Sequence, residues 1–421
     1  MYLSTVDRSS GKRTRTGPRG TIRSVGGTVV VLGTVSLLTD ISSEMVTAVL
    51  PLYFVLALHV SPVVFGLMDG LYTGATALLR LVGGYVADRF RRRKAVAGIG
   101  YGISALAKLA LAAVTGVPAL GAVLVADRAG KGLRTAPRDA LISLSVPESM
   151  LGRAFGVHRA MDSAGAFAGP LVALGVLAAV GTGASSGFTA LFFVSFCIAA
   201  SAVLVLMLFA RDRTDARTAA TSVTLRGAMG LMRGAEARKL LGAAAALGLS
   251  TVGDGFVYLI LVRQHDVAAG WFPLFAVVPN VVYLVLAGPF GALADRVGRR
   301  VMLRYGYAAL AAVYLLLTLD LPGIPAIGAI LVLYGVFYAA TDGVLMALAG
   351  PCFPAELRTT GLACVQTVQA LAYFASSVAF GLAWAGWGAA APTGVALAVA
   401  LLACGLTWVL LPKHAKPGET R

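Results

Sequence analysis

Charge is what this chain has least of. Only 13% of its 421 residues are Asp, Glu, Lys or Arg, where a soluble domain carries about 25%. Hydrophobic residues reach 58% and the mean hydropathy is +0.83, which excludes an ordinary soluble domain and indicates an integral membrane protein. Cysteine is scarce too. Cys197, Cys352, Cys364 and Cys404 lie in or beside apolar segments with no pairing by spacing, so a disulfide framework and a thiolate metal site are excluded. His59, His158, His265 and His414 are too scattered for a metal cluster. A Gly-x-x-x-x-Gly-Lys-Ser/Thr loop is missing, and Gly130-Lys131-Gly132 lies within or at the end of an apolar segment. With no nucleophile–histidine pair at membrane depth, the sequence predicts no enzyme, no catalytic residues, no cofactor and no metal.

The charge that is present is lopsided: 35 Lys and Arg against 19 Asp and Glu, a formal +16. Such an excess can mean nucleic acid, but position argues for topology. Of the 35 basic residues, 31 fall in segments assigned to one face. Six precede Ser24, and the rest cluster at Arg89–Lys94, Lys131–Arg159, Arg211–Lys239 and Arg296–Arg304, with Arg358 and the C-terminal tail. The positive-inside rule makes that face the cytoplasm, with both termini on it, and removes the reason to invoke nucleic acid.

Apolar stretches long enough to cross a bilayer, about 20 residues each, begin near Val25, Val63, Ala95, Pro118, Arg153 and Gly187. A second set begins near Lys239, Trp271, Val301, Gly323, Gly361 and Pro392. The predicted fold class is therefore all-α and integral to the membrane, with twelve transmembrane helices. The chain divides into a basic tail (1–24), a six-helix half (25–210), a polar linker (211–238), a second six-helix half (239–411) and a short tail (412–421). Within the linker, Val223–Met232 suits a short amphipathic surface helix or a simple tether.

The two halves are pseudo-symmetric, because one pattern occurs twice, 207 positions apart. Gly84-Tyr85-Val86-Ala87-Asp88-Arg89-Phe90-Arg91-Arg92-Arg93 and Gly291-Ala292-Leu293-Ala294-Asp295-Arg296-Val297-Gly298-Arg299-Arg300 both read Gly-x-x-x-Asp-Arg-x-x-Arg-Arg. A second correspondence sets Pro147, Glu148, Arg153 and Gly156 beside Pro354, Glu356, Arg358 and Gly361. In the repeated loop an Asp at a helix end can pair with nearby Arg side chains or cap a neighbouring helix. Gly84, Asp88, Arg89, Gly291, Asp295, Arg296 and Arg300 are thus candidates for a cytoplasmic latch.

This loop, between the second and third span of each half, resembles the loop signature of the major facilitator superfamily. The resemblance covers essentially the whole chain and implies the major facilitator fold. The first copy departs from the pattern, with Arg91 where the family usually has Gly. Two further stretches are similar to motifs of the superfamily's twelve-span drug/proton antiporters. These are Leu124-x-x-x-Arg128-x-x-Lys131-Gly132, with Lys131 where Gln is common, and Gly165-x-x-x-Gly169-Pro170, without the trailing Gly pair. Gly165 and Gly169 make a small face for close helix contact and Pro170 bends its helix. They are expected to form a tight seam between the halves. Around Leu38–Met45, Asp127–Ala140 and His158–Asp162 the sequence also resembles a prokaryotic branch of the superfamily.

A charge at the bilayer centre costs roughly 2.5–3.5 kcal/mol on insertion scales, so each needs a reason. Asp40 and Glu44 share one face of the first span; Asp40 lies about 22 Å along it at ~1.5 Å per residue, near mid-membrane. Asp69 and Arg80 lie in span two, Lys108 in span three, Asp127 and Arg128 in span four, and Asp162 in span five. An unpaired carboxyl away from water favours its neutral form, which suits it to carry a proton. Asp40 and Glu44 are the proton-carrier candidates, with Arg128, Lys108 and Asp162 as partners. Asp127 and Arg128 are adjacent, so their side chains are expected to point apart. In the second half Asp254 and Asp342 either meet cargo or cap a broken helix. With Asn280, Tyr283, Gln366, Gln369 and Tyr373 they form the predicted substrate cavity.

These residues and the resemblance together imply a monomeric secondary transporter in the plasma membrane, exporting a small organic molecule in exchange for protons. Import of a nutrient, or a receptor or lipid-moving scaffold, are the alternatives.

Overall fold

In the computed structural model the described residues are 27–90, 93–114, 116–146, 150–181, 185–210, 234–342, 344–349, 352–353 and 358–411. Side chains of 75, 77–78, 80–90, 136, 151–152, 185, 269, 295, 358–360, 363 and 408–409 lie outside the description.

Every described segment of regular structure is helical. The first half comprises α1 (Gly27–Leu56), α2 (Pro62–Phe90), α3 (Arg93–Ala113), α4 (Val117–Ser143), α5 (Leu151–Val180) and α6 (Ser185–Phe209). The second comprises α7 (Ala235–Leu249), α8 (Asp254–His265), a 3₁₀ turn (Ala269–Trp271), α9 (Leu274–Val297), α10 (Arg299–Leu319), α11 (Ile324–Thr341), α12 (Val344–Ala349), α13 (Arg358–Trp387) and α14 (Ala390–Leu410). Fourteen helices make twelve spans because two spans are broken: α7 and α8 form one, α11 and α12 another. Each span starts within four residues of its expected position, and span seven begins at Ala235 rather than near Lys239.

Among the described residues, ten spans are long and apolar enough to cross a membrane. The two others, α2 and α4, are interrupted by charge: Asp69 lies in α2, and Asp127, Arg128 and Lys131 lie in α4. Lys131, Arg134 and Arg138, which the sequence assigned to the basic face, lie inside α4. Arg134 is buried there, and Lys131 and Arg138 are half-buried.

The duplication is visible in the packing. α1 lies on α5 as α7 lies on α13; α2 lies on α4 as α9 on α11; α3 contacts α4 and α6 as α10 contacts α11 and α14. Between halves the longest seam runs along α2 and α13, with lesser contacts of α5 to α9 and of α1 to α8.

That α2–α13 seam is tight toward one face of the protein, the distal face, away from where α1 begins and α14 ends. Small residues make it possible. Gly66 sits on the Ser377 backbone, Gly70 on Phe374, and Gly381 on the Pro62 carbonyl. Phe65 meets Phe256 edge-on at 4.6 Å, and Phe256 meets Phe380 at 4.8 Å and Trp384 at 5.6 Å. These rings seal the two halves together at the distal end.

The turn of the second repeated loop has a local cause. Gly298 ends α9 and begins α10 at φ 101°, a conformation that favours glycine over any L side chain.

Candidate functional site

Three charged groups cross α3 and α4. Lys108 Nζ donates to Asp127 Oδ1 at 2.9 Å, and Arg128 Nε donates to Asp127 Oδ2 at 3.1 Å. The second contact corrects the expectation that neighbours 127 and 128 point apart: the arginine is long enough to curl back onto the preceding carboxylate. Ser104 donates to the other oxygen. All four side chains are buried, so Asp127 is held by opposite charges and a hydroxyl. Beyond the pair, the Arg128 guanidinium lies 3.7 Å from the centre of the Tyr72 ring.

About three turns farther along α4, a second network joins α1, α4 and α5. Arg138 Nη1 donates to Ser36 Oγ at 2.9 Å and lies 3.9 Å from Asp162 Oδ1. Ser36 Oγ is 3.0 Å from His158 Nε2, and Arg159 reaches the other Asp162 oxygen at 3.3 Å. The carboxyls of Asp162 and Asp40 are hydrogen-bond partners. Two carboxyls can share a hydrogen bond only when one carries a proton. The partner of Asp40 is therefore Asp162, on another helix, and not Glu44 on its own.

The antiporter-like glycines explain this meeting. A Cβ on Gly165 would lie 3.1 Å from the Cβ of Asp40, and one on Gly169 would lie 2.7 Å from the Cβ of Glu44. The Gly165–Gly169 face thus presses α5 against the acidic face of α1, inside the first half. This corrects the expected place of Gly165, Gly169 and Pro170 at the seam between halves. The small residues face α1, a parallel helix of the same bundle, and α5 also meets α9 of the other half.

The side chains of Glu44 and Lys131 have no hydrogen bond or ion pair among the described residues. The field of Glu44 reaches Lys131, Arg128, Tyr72 and, across the seam, Tyr258. The two unpaired charges thus face a shared region that also touches the second half.

In that half, acids are held by hydroxyls. Asp254 Oδ1 accepts from Tyr334 at 2.6 Å and from Tyr338 at 2.5 Å. Asp342 Oδ2 accepts from Tyr283 at 2.6 Å, in an exposed setting. Asp254 opens α8 and Asp342 follows the last residue of α11, so both stand at helix breaks. Of the predicted cavity face of α13, Gln369 lies beside the Tyr307 hydroxyl inside its own half, whereas Tyr373 reaches across the halves to Asp69 Oδ2 at 3.2 Å. Gln366 and Asn280 are half-buried.

The repeated loops are only partly visible. The side chains of Arg80, Asp88, Arg89 and Asp295, and position 84, lie outside the described residues, as do Pro147, Glu148, Pro354 and Glu356. Arg296 is exposed, Arg300 half-buried, and a Cβ on Gly291 would meet open space. In this loop Arg299 makes the crossing contact, donating to the Ala347 carbonyl of α12 at 2.7 Å.

Sequence reasoning left out Ser36, Tyr334 and Ser377, and gave Arg138 and Asp69 no role of their own. The signal for Asp69 was present: an acid at membrane depth with no cation near it in sequence.

Known proteins can now be set beside this geometry. The Major Facilitator Superfamily profile matches residues 32–279 and 240–421. An uncharacterized MFS-type transporter of Methanocaldococcus jannaschii is 29% identical over 372 residues, 86% of this chain and 89% of that one. An uncharacterized Mycobacterium tuberculosis protein is 35% identical over 154 residues, 36% of this chain and 37% of that one. Among solved structures, the nucleoside transporter NupG superposes with a TM-score of 0.77 at 13% identity, covering 92% of this chain and all of that one. A bacterial homologue of the human lysosomal transporter Spinster, inward-facing, gives 0.73 at 15% identity, covering 94% and 98%. Twelve spans in two like-packed halves, charges facing the gap between them and a profile match running through both halves lead to one statement: this chain is a multi-pass secondary transporter of small molecules, not an enzyme, and belongs to the Major Facilitator Superfamily.

Proposed function

We propose that this transporter exports a small organic molecule across the plasma membrane in exchange for protons, rocking its halves about a central site. The observation that carries the proton half of this reading is the Asp40–Asp162 carboxyl pair, with Arg138 beside it. A pair that shares one proton can exchange it as the site turns from one side to the other. Arg138 gives the ionised state a counter-charge, and the Gly165 contact keeps α1 and α5 close enough for the pair to form. The direction, outward, is supported by the Gly165-x-x-x-Gly169-Pro170 stretch, which resembles the antiporter motif.

Cargo meets the charges left free. Glu44 and Lys131 from the first half, with Tyr258 and the Asp254–Tyr334–Tyr338 group from the second, lie where the halves join. The basic clusters set the loops of the repeated pattern, and both termini, on the cytoplasmic side. On that orientation the sealed distal face is the outside. The repeated loops would act as latches when the cytoplasmic side closes, with Asp88 and Asp295 as the pairing acids. The transporter works as a monomer.

The test uses inverted membrane vesicles with an acid interior and a panel of fluorescent organic cations and anions. Gradient-driven accumulation of at least one dye is expected, and its loss in Asp40→Asn and in Asp162→Asn. Accumulation seen only in right-side-out vesicles would overturn export and favour proton-coupled import. Unchanged coupling in both variants would remove the carboxyl pair from the mechanism.

A further inference from the structure

Asp69 is the acid that the carboxyl pair of α1 and α5 does not involve. It lies two turns into α2 from the distal end, half-buried. Its hydrogen bonds cross the halves: Ser377 Oγ donates to Oδ2 at 2.9 Å and Tyr373 Oη at 3.2 Å, both from α13. Opposite it, span seven is broken at Gly253, and a Cβ there would fall on the Asp69 carboxyl. The break and the glycine make room for this acid. The same stretch of seam is the tight one, with Gly66 and Gly70 on α13 and the Phe65–Phe256–Trp384 rings beyond.

The groups around Asp69 are few. Tyr373 faces it from α13 and Asp254 from α8. On the α1 and α4 sides, Glu44, Asp127 and Arg128 act on Tyr72, one turn farther along α2. Among the described residues no cation forms an ion pair with Asp69. Closing the seam therefore encloses a carboxyl with two hydroxyl donors, no counter-charge, and a second acid as neighbour. Enclosing it as a neutral acid is cheaper than enclosing it as an anion. Opening the seam returns it to water, where the anion is at no disadvantage.

Resting on the proton-coupled reading above, we infer that Asp69 is a second proton-binding site, and that its protonation drives closure of the distal gate between α2 and α13. It differs from the Asp40–Asp162 pair in lying between the halves, so that proton occupancy and gate position are linked directly. Protons taken from the distal side would close that side, which turns the carrier toward the other.

The experiment places spin labels at Ser61→Cys and Trp387→Cys, at the distal ends of α2 and α13, in a full-length chain whose four native cysteines are replaced by serine. Distances are read by pulsed EPR in nanodiscs from pH 5 to pH 9. A short distance is expected to dominate at pH 5, with a longer population growing toward pH 9. Asp69→Asn should hold the short distance across the range. Ser377→Ala keeps the acid and removes one donor to the anion in the closed gate. The open-to-closed ratio at pH 9 should then rise roughly fivefold, the equivalent of one hydrogen bond. A wild-type pH response in Asp69→Asn, or an unaltered ratio in Ser377→Ala, would overturn the inference. Asp40→Asn, run alongside, keeps the two ideas apart: it should lose dye accumulation and retain the gate's pH response.

Discussion

The two halves share a packing plan and differ in how they hold charge. In the first, acids meet cations: Asp127 is clasped by buried Lys108 and Arg128, whereas Asp162 is held more loosely, with Arg138 at 3.9 Å and the exposed Arg159 at 3.3 Å. In the second, the intramembrane acids Asp254 and Asp342 meet tyrosine hydroxyls, and among the described residues the half's ion pair is Lys239–Glu236, at the first turn of α7. An ion pair away from water is hard to take apart, because each partner left alone is an uncompensated charge. A hydroxyl–carboxyl bond survives a change of protonation, since the neutral acid can still donate or accept. The first half thus has a fixed electrostatic frame with one adjustable carboxyl pair set into it. The second offers adjustable contacts around an aromatic wall.

The largest test of that contrast removes one acid from each frame. Asp127→Asn leaves the Lys108 ammonium and the Arg128 guanidinium buried without their counter-charge. A loss of about 3–5 kcal/mol is expected, read as a sharp fall in thermal unfolding temperature in detergent or as failure to accumulate in the membrane. Asp254→Asn keeps an oxygen for Tyr334 and Tyr338 and should lose only about 1 kcal/mol. Equal losses would erase the distinction between the halves.

Glycine substitutions come next and compare like with like. In the first half a Cβ at Gly169 would stand 2.7 Å from the Glu44 Cβ and 2.8 Å from the Ile41 carbonyl oxygen. In the second, α7 packs on α13 in the equivalent way, and a Cβ at Gly248 would stand 2.7 Å from the Ala372 Cβ and strike the Gln369 carbonyl. Gly169→Ala and Gly248→Ala should each cost about 1–3 kcal/mol through overpacking. Their effects on transport should part. Gly169→Ala displaces the face that bears Glu44 and Asp40, so the pH dependence of dye accumulation should move; Gly248→Ala should lower its amount and leave the pH profile in place.

What could be read from sequence follows from the range over which each force acts. The spans were legible to within four residues, since a run of apolar residues is local and the bilayer fixes its length. The turn at Gly298 was legible for the same reason: its glycine sits inside the repeated pattern. Partners of buried charges were not. Asp40 was paired with Glu44 because i and i+4 share a face, yet Asp162 reaches it from α5, through a helix contact that only Gly165 and the packing of two helices decide. The tie between Asp127 and Arg128 was missed for a smaller reason: adjacent side chains leave the helix in different directions, but a guanidinium on three methylenes can return. Lys131, Arg134 and Arg138 were read as loop charge because the apolar run ends before them, while the helix continues to Ser143 behind the shelter of its neighbours.

The smallest effects distinguish the two tyrosine-held acids from each other. Tyr334→Phe withdraws one of two donors from Asp254, and about 1 kcal/mol should be lost. Tyr283→Phe withdraws the one hydroxyl donor that Asp342 has among the described residues, yet no change in unfolding temperature beyond the scatter of the assay is expected, because Asp342 is exposed and water replaces the hydroxyl. The backbone argues the same way. Asp254 is the first residue of the twelve-residue α8, where the unpaired N–H groups favour a carboxylate. Asp342 follows the C-terminal end of α11, where unpaired carbonyls disfavour one, and precedes α12, which is too short to offset them. A hydroxyl–carboxyl bond in the second half therefore contributes to stability where a helix start and burial support it. At Asp342 neither does, which leaves that acid free to change partners as the halves move. A large loss in Tyr283→Phe would show instead that this bond is part of the fixed frame, and that the second half is built more like the first than the hydroxyl partners of its acids suggest.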